Sequence, residues 1–152
     1  MISQTVEYAL RAIVALARHA DRPQTSRELA DATRVPVAYL SKILHTLTRA
    51  GLARSQRGPG GGFTLGRPPA DLTVWDIVEA VEPIKPIKEC PLGGVEMGGH
   101  GADLCPLHQR LEDARRQVEL AFRATTIEEV VSNKQRPALC SEPREPRPLA
   151  AP

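Results

Sequence analysis

Between Gln4 and Ala20 the apolar residues Val6, Leu10, Ile13, Val14 and Ala17 recur at helical spacing, with Glu7, Arg11 and Arg18 mostly off that stripe, which predicts a first helix. Arg22-Pro23-Gln24 breaks it. Thr25 stands three residues before Glu28, the spacing of a reciprocal capping box, so a short second helix is expected from Ser26 to about Thr33. After the turn Arg34-Val35-Pro36, the residues Leu40, Ile43, Leu44 and Leu47 form the apolar face of a third helix. It stops at Gly51, which suits a left-handed C-terminal cap. Short strands are expected from Leu52 to Arg57 and from Phe63 to Leu65, around the turn Gly58-Pro59-Gly60-Gly61-Gly62.

Thr73 then caps a further helix, with Asp76 at its third position and Trp75, Ile77, Val78 and Val81 as apolar surface, Trp75 being read as a packing residue. From Pro83 to Leu104 prolines and glycines replace the helical pattern, and a loop of this length in a small domain is usually functional or disordered. A long helix resumes at Pro106, with Leu107, Leu111, Ala114, Val118, Ala121 and Phe122 along one stripe that suggests a dimerisation seam. Thr126 and Glu129 repeat the capping pattern, and the last ordered turn is expected to end near Asn133. The fold class is therefore mainly α with a small β-hairpin: a winged helix-turn-helix over residues 1–82, a loop over 83–104, a dimerisation helix with a short terminal helix over 105–133, and a disordered Pro-rich tail over 134–152.

With 152 residues, 41% of them hydrophobic and 25% charged, the chain fits one modest domain plus a tail. The longest apolar run, Ala12 to Ala17, is far short of the roughly 20 residues of a bilayer span. The first residues lack the features of an export signal, so a cytoplasmic protein without membrane association is expected. Charge changes the picture more. From Arg34 to Arg67 the charged residues are Arg34, Lys42, Arg49, Arg54, Arg57 and Arg67, with no acid. That window carries +6 within a chain of net charge +2, which leaves −4 on the remainder. A basic block of this kind is what one face bound to a polyanion requires.

The outer face of the third helix offers Tyr39, Ser41, Lys42, His45, Thr46 and Arg49, all able to hydrogen-bond base edges or phosphates, as a recognition helix does. The glycine-rich turn reads as a wing tip on the DNA backbone. A nucleotide cradle fits poorly, since no Gly-Lys-Ser/Thr follows and the turn leads into a strand. An enzyme is not expected either, for there is no Cys-x-x-Cys and no nucleophile with a plausible His and acid pair. The unbroken basic run argues against a winged helix used only for protein assembly.

Glu7-Tyr8-Ala9-Leu10, the stretch from Val35 through Tyr39-Leu40-Ser41-Lys42 to Leu44 leading to Gly51-Leu52, and Arg57-Gly58-Pro59-Gly60-Gly61-Gly62-Phe63-Thr64-Leu65 together resemble the IscR/NsrR-type winged-helix transcriptional regulators, the Rrf-two family. The resemblance covers nearly everything from Met1 to Asn133. It implies a homodimer, held by the long C-terminal helices, that binds a pseudo-palindromic double-stranded DNA operator and usually represses. By the same resemblance Tyr39, Ser41 and Lys42 enter the major groove, and Arg57 with Gly58, Gly60 and Gly61 reaches the minor groove or its phosphates. Ser26, Val37, Ala38, His45 and Arg49 complete the expected DNA-facing set.

Many members of that family hold an iron-sulfur cluster, 2Fe-2S or 4Fe-4S, on three cysteines in the loop before the dimer helix. Here Cys90-Pro91-Leu92-Gly93 resembles the first cysteine site and Cys105-Pro106-Leu107-His108 the last, while the middle position falls near Met97, a poor ligand for iron. Iron also accepts imidazole and carboxylate. His108, one helical turn after Cys105, His100 in the loop, and Glu7, which by the resemblance comes from the partner subunit, are therefore candidates beside Cys90 and Cys105. The alternative is a regulator without a cluster, switched by a Cys90/Cys105 thiol pair or by a small molecule. Cys140 falls in the tail and is not expected to be a ligand.

Overall fold

A computed structural model describes residues 2–87 and 106–132. Helix α1 (Gln4–Arg18) begins at Ser3, whose side chain accepts the Val6 N–H at 3.2 Å. Its buried residues are Val6, Ala9, Ala12, Ile13 and Leu16, whereas Leu10, Val14 and Ala17 are only half-buried. The core face is thus rotated from the expected stripe. Four other helices and the hairpin all pack on α1, and Ala9 and Ala12 let them approach closely, so the small residues go inside. The helix ends at Arg18, short of Ala20, with His19 as its C-cap.

Helix α2 (Ser26–Thr33) has the full capping box: the Thr25 N–H donates to Glu28 Oε2 at 2.7 Å and the Glu28 N–H to Thr25 Oγ1 at 3.2 Å. Its C-cap, Arg34, takes φ 55°, a left-handed conformation that costs a non-glycine residue roughly 1–2 kcal/mol. Arg11 helps hold that end, donating from Nη1 to the Thr33 carbonyl at 3.3 Å. Helix α3 (Val37–Arg49) buries Leu40, Ile43, Leu44 and Leu47 as its pattern predicts. Each such leucine contributes about 2 kcal/mol relative to exposure. Gly51, at φ 72°, reverses the chain, and the Leu52 N–H donates back to the Leu47 carbonyl at 2.9 Å.

Strands β1 (Ala53–Gln56) and β2 (Gly62–Leu65) pair antiparallel with Ala53 opposite Leu65 and Gln56 opposite Gly62, leaving Leu52 and Arg57 outside the ladder. Gln24, in the link between α1 and α2, bridges to Phe63 as a third, one-residue strand. A 3-10 turn (Pro69–Asp71) leads to α4 (Val74–Val81), again under a capping box, of Thr73 with Asp76. Burial pushes the Asp76 carboxyl up, but the Thr73 hydroxyl and N–H, with the fields of Arg67 and Arg123, outweigh it and hold it below its usual value.

Helix α5 (Pro106–Ala124) and α6 (Ile127–Ser132) complete the chain described. The Val74 N–H donates to the Thr125 carbonyl at 2.9 Å and the Ile127 N–H to the Leu72 carbonyl at 2.7 Å, which stitches the α5–α6 junction to the start of α4. Ile127 is fully buried in the same core as Ile13 and Leu44. Trp75 is buried and lies under the Arg123 guanidinium, 4.7 Å from the ring centroid. On α5, Phe122 packs against the core and Val118 is half-buried, whereas Leu107, Leu111, Ala114 and Ala121 are exposed. The expected single stripe is therefore two: one part meets its own core and the other faces outward.

Candidate nucleic-acid interface

The apolar face of α3 anchors the helix on α1, so its other face points away from the core. Val37, Ala38, Tyr39, Ser41, Lys42, His45 and Arg49 are all exposed, with Tyr39 at 54%. Thr46 differs. It is half-buried and its hydroxyl donates to the Lys42 carbonyl at 3.2 Å, which uses it within the helix. Pro36 precedes α3 and supplies no side-chain cap, so the positive end of the helix dipole meets solvent beside Val37 and Ala38. Ser26 is half-buried at the first position of α2. The wing tip closes where the Gly61 N–H donates to the Gly58 carbonyl at 2.9 Å, with Arg57, Gly58 and Gly60 exposed and Gly61 half-buried.

The six cations of the basic block are all exposed, and none is in an ion pair among the described residues. Arg34, Arg54 and Arg67, expected in the basic block but assigned no individual DNA contact, are exposed with the rest. Outside the block, Arg22 lies 2.8 Å from Glu28. The Thr25 N–H, the Arg22 guanidinium and the Thr25 hydroxyl together lower the Glu28 carboxyl from its usual 4.5 to about 2, so Glu28 stays anionic beside Arg22.

Two of the candidate metal ligands fall in the described chain. Glu7 is exposed and forms an ion pair with Arg11 at 2.5 Å. His108, in the first turn of α5, is buried, and its Nδ1 has no hydrogen-bond partner among the described residues. An orphaned buried nitrogen is costly unless a proton donor or a metal completes it. Cys90, His100 and Cys105 lie outside the described residues, as do Met97 and Cys140. Among the described residues no three His, Cys, Asp or Glu side chains gather closely enough to hold a metal ion. A cavity of about 130 Å3 lies between the start of α1, the end of α4 and Phe122 of α5, below the roughly 300 Å3 of ordinary ligand pockets. No helix among the described residues is long and apolar enough to cross a membrane.

Comparison with known proteins agrees with the geometry. The family model described as Rrf2, iron-dependent transcriptional regulator, matches residues 2–133. The protein aau3 of Rhizobium meliloti (strain 1021) is 32% identical over 155 residues, covering 99% of each chain. The HTH-type transcriptional regulator IscR of Xenorhabdus nematophila is 29% identical over 129 residues, 84% of this chain and 77% of that protein. The structure of CymR, the global cysteine regulator of B. subtilis, superposes with a TM-score of 0.73 at 28% identity, covering 89% of this chain and 98% of that one. A mainly helical chain with an exposed recognition-type helix and a basic two-stranded wing thus belongs to the Rrf2 family, and is a DNA-binding transcriptional regulator and not an enzyme.

Proposed function

We propose that the protein is a homodimeric cytoplasmic repressor that reads a pseudo-palindromic operator and is switched by an iron-sulfur cluster. The observation that carries the DNA-binding part is the outward face of α3, where Tyr39, Ser41, Lys42, His45 and Arg49 are exposed together within a basic block that has no ion pair among the described residues. In this reading Tyr39, Ser41 and Lys42 meet base edges in the major groove, with Val37 and Ala38 against thymine methyls and His45 and Arg49 on flanking phosphates. Ser26 meets a phosphate at the start of α2. Arg57 and the tip glycines Gly58, Gly60 and Gly61 reach the minor groove or its backbone. Residues 1–82 form the DNA-binding part, 83–104 the sensor loop and 105–133 the dimer helix with its terminal turn, followed by a tail over 134–152. Exposed Leu107, Leu111 and Ala114, one helical turn apart on α5, support the dimer seam.

For the switch, the thiolates of Cys90 and Cys105 and the imidazole of His108 form a donor set suited to iron, with Glu7 of a partner copy or His100 as the fourth. The buried Nδ1 of His108, without a hydrogen-bond partner among the described residues, supports that reading, because a metal would satisfy it. A bound cluster would supply sensitivity to oxidants or nitric oxide, and mixed nitrogen and oxygen ligation would shift its potential. The alternative, a Cys90/Cys105 thiol or small-molecule switch on the same regulator, is favoured by the structural likeness to a cysteine regulator.

Anaerobic purification followed by iron, acid-labile sulfide and visible absorption measurements tests the switch. Stoichiometric iron and sulfide are expected, lost in Cys90→Ala and Cys105→Ala and kept in Cys140→Ala. A colourless protein that takes up no cluster on reconstitution selects the thiol or small-molecule switch. DNA binding is tested separately: affinity for DNA should fall steeply with salt, by roughly 0.9 log units per log unit of salt for each phosphate neutralised. A flat salt response overturns the interface.

A further inference from the structure

Gln24 is the most buried polar side chain among the described residues, at 3% exposure, and lies in the link between α1 and α2. It holds two elements at once. Its N–H donates to the Phe63 carbonyl at 2.9 Å and the Phe63 N–H donates to its carbonyl at 2.7 Å, a reciprocal pair that adds a third strand to the wing. Its side-chain amide donates to the Ala15 carbonyl in the last turn of α1 at 3.3 Å. The neighbouring wing residue is shaped to the contact: Gly62 takes φ 153°, and a Cβ there would lie 2.6 Å from the Gln24 backbone. A ribbon of two four-residue strands is at best marginal alone, so its direction depends on what it is fastened to.

We propose that Gln24 is the positioning residue of the wing, fastening β2 to the end of α1 so that the Arg57 tip and the outer face of α3 engage one DNA site together. This rests on the reading of the wing as a DNA contact. Phe63 stands opposite Ser55, one position before the last ladder pair of Gln56 with Gly62, and Arg57 follows Gln56 directly, so the Gln24 pairing grips the hairpin beside its tip. Gln24 would act without touching DNA, which separates it from the exposed residues of α3 and the wing.

The test uses the full chain and two readouts. Gln24→Met keeps the approximate volume and removes the amide donor. Hydrogen exchange at the Phe63 amide and the β1–β2 ladder should quicken roughly fivefold in that variant, the scale of one net hydrogen bond, while amides of the α1–α4 core stay unchanged. Binding to an operator selected from randomised DNA is then compared for wild type, Gln24→Met, Arg57→Ala and the double variant. Gln24→Met should weaken binding severalfold and lower the salt slope by about one, as Arg57→Ala does, and the double variant should lose no more than Arg57→Ala alone. Gly62→Ala, which pushes a Cβ into the same contact from the wing side, should reproduce the pattern if Gln24→Met does not fold. Unchanged wing exchange, or losses that multiply in the double variant, overturns the proposal. Quickened exchange with an Arg57→Ala variant that binds and responds to salt like wild type supports the hold of Gln24 on the wing and overturns the reading of the wing on DNA.

Discussion

Along α5, Arg115 lies 2.7 Å from Glu112 and 2.9 Å from Glu119, Arg116 lies 3.7 Å from Glu112, and Arg123 lies 2.9 Å from Glu119, whereas the six cations from Arg34 to Arg67 face solvent without an ion pair among the described residues. The difference lies in spacing. On α5 Glu112, Arg115, Arg116, Glu119 and Arg123 stand at three- and four-residue intervals, so these acids and bases meet on the same helix face. Between α3 and the wing no acid is present to do so. Surface pairs add only about 0–1 kcal/mol each, so the α5 network matters less for stability than for removing net charge from a helix whose neighbouring stripe is apolar. The basic block keeps its charge, and with it a long-range attraction for a polyanion.

The contrast can be broken in order of size. Replacing Leu111, on the exposed apolar part of α5, with Glu should separate the proposed dimer in sedimentation and lower operator affinity by more than about a hundredfold, because one protomer then reads one half-site. A monomeric wild type would remove α5 from the account. Tyr39→Ala should cost roughly ten- to a hundredfold on the operator and little on random DNA, measured by fluorescence anisotropy. Arg57→Ala should weaken binding to all sequences severalfold and reduce the salt slope by about one, while Arg116→Ala on α5 changes neither. Equal effects of the two arginine variants would dissolve the distinction between the regions. The smallest effect concerns the cap of α2. Since the Glu28 carboxyl titrates at about 2 in the folded chain and near 4.5 otherwise, its contribution is complete above pH 4.5 and is lost as pH falls toward 2. Glu28→Gln should therefore have a lower thermal midpoint than wild type at pH 7, and the two should converge near pH 2.

What the chain revealed beforehand was local. The boxes Thr25/Glu28 and Thr73/Asp76, and the Thr126/Glu129 pair, whose N–H groups and side chains bond at 2.9 and 3.2 Å, are readable because both partners lie three residues apart. The four leucine-type anchors of α3 are readable for the same reason, and they place Tyr39 and Lys42 outward. Contacts between distant segments left no such mark. Nothing in Arg22-Pro23-Gln24 announces that Gln24 pairs with Phe63, or that Thr73 bridges to Thr126. The core face of α1 is rotated from the expected stripe because Ala9 and Ala12, which carry little hydrophobic signal, define it together with Val6, Ile13 and Leu16. Arg34 hides a left-handed turn that a glycine would have advertised. His108 was legible as a ligand type but not as a buried nitrogen lacking a partner among the described residues.

The stitching of Thr125 and Ile127 to Val74 and Leu72 makes the C-terminal end of α5 a fulcrum. With 19 residues the helix is a rod of about 28 Å, and a swing of about 10° at the fulcrum carries its far end through about 5 Å. Read in reverse, a displacement of about 5 Å at Pro106 reaches the core beside Trp75 and Ile127 as a small, stiff rotation, a gear ratio set by helix length and independent of which chemistry drives the far end.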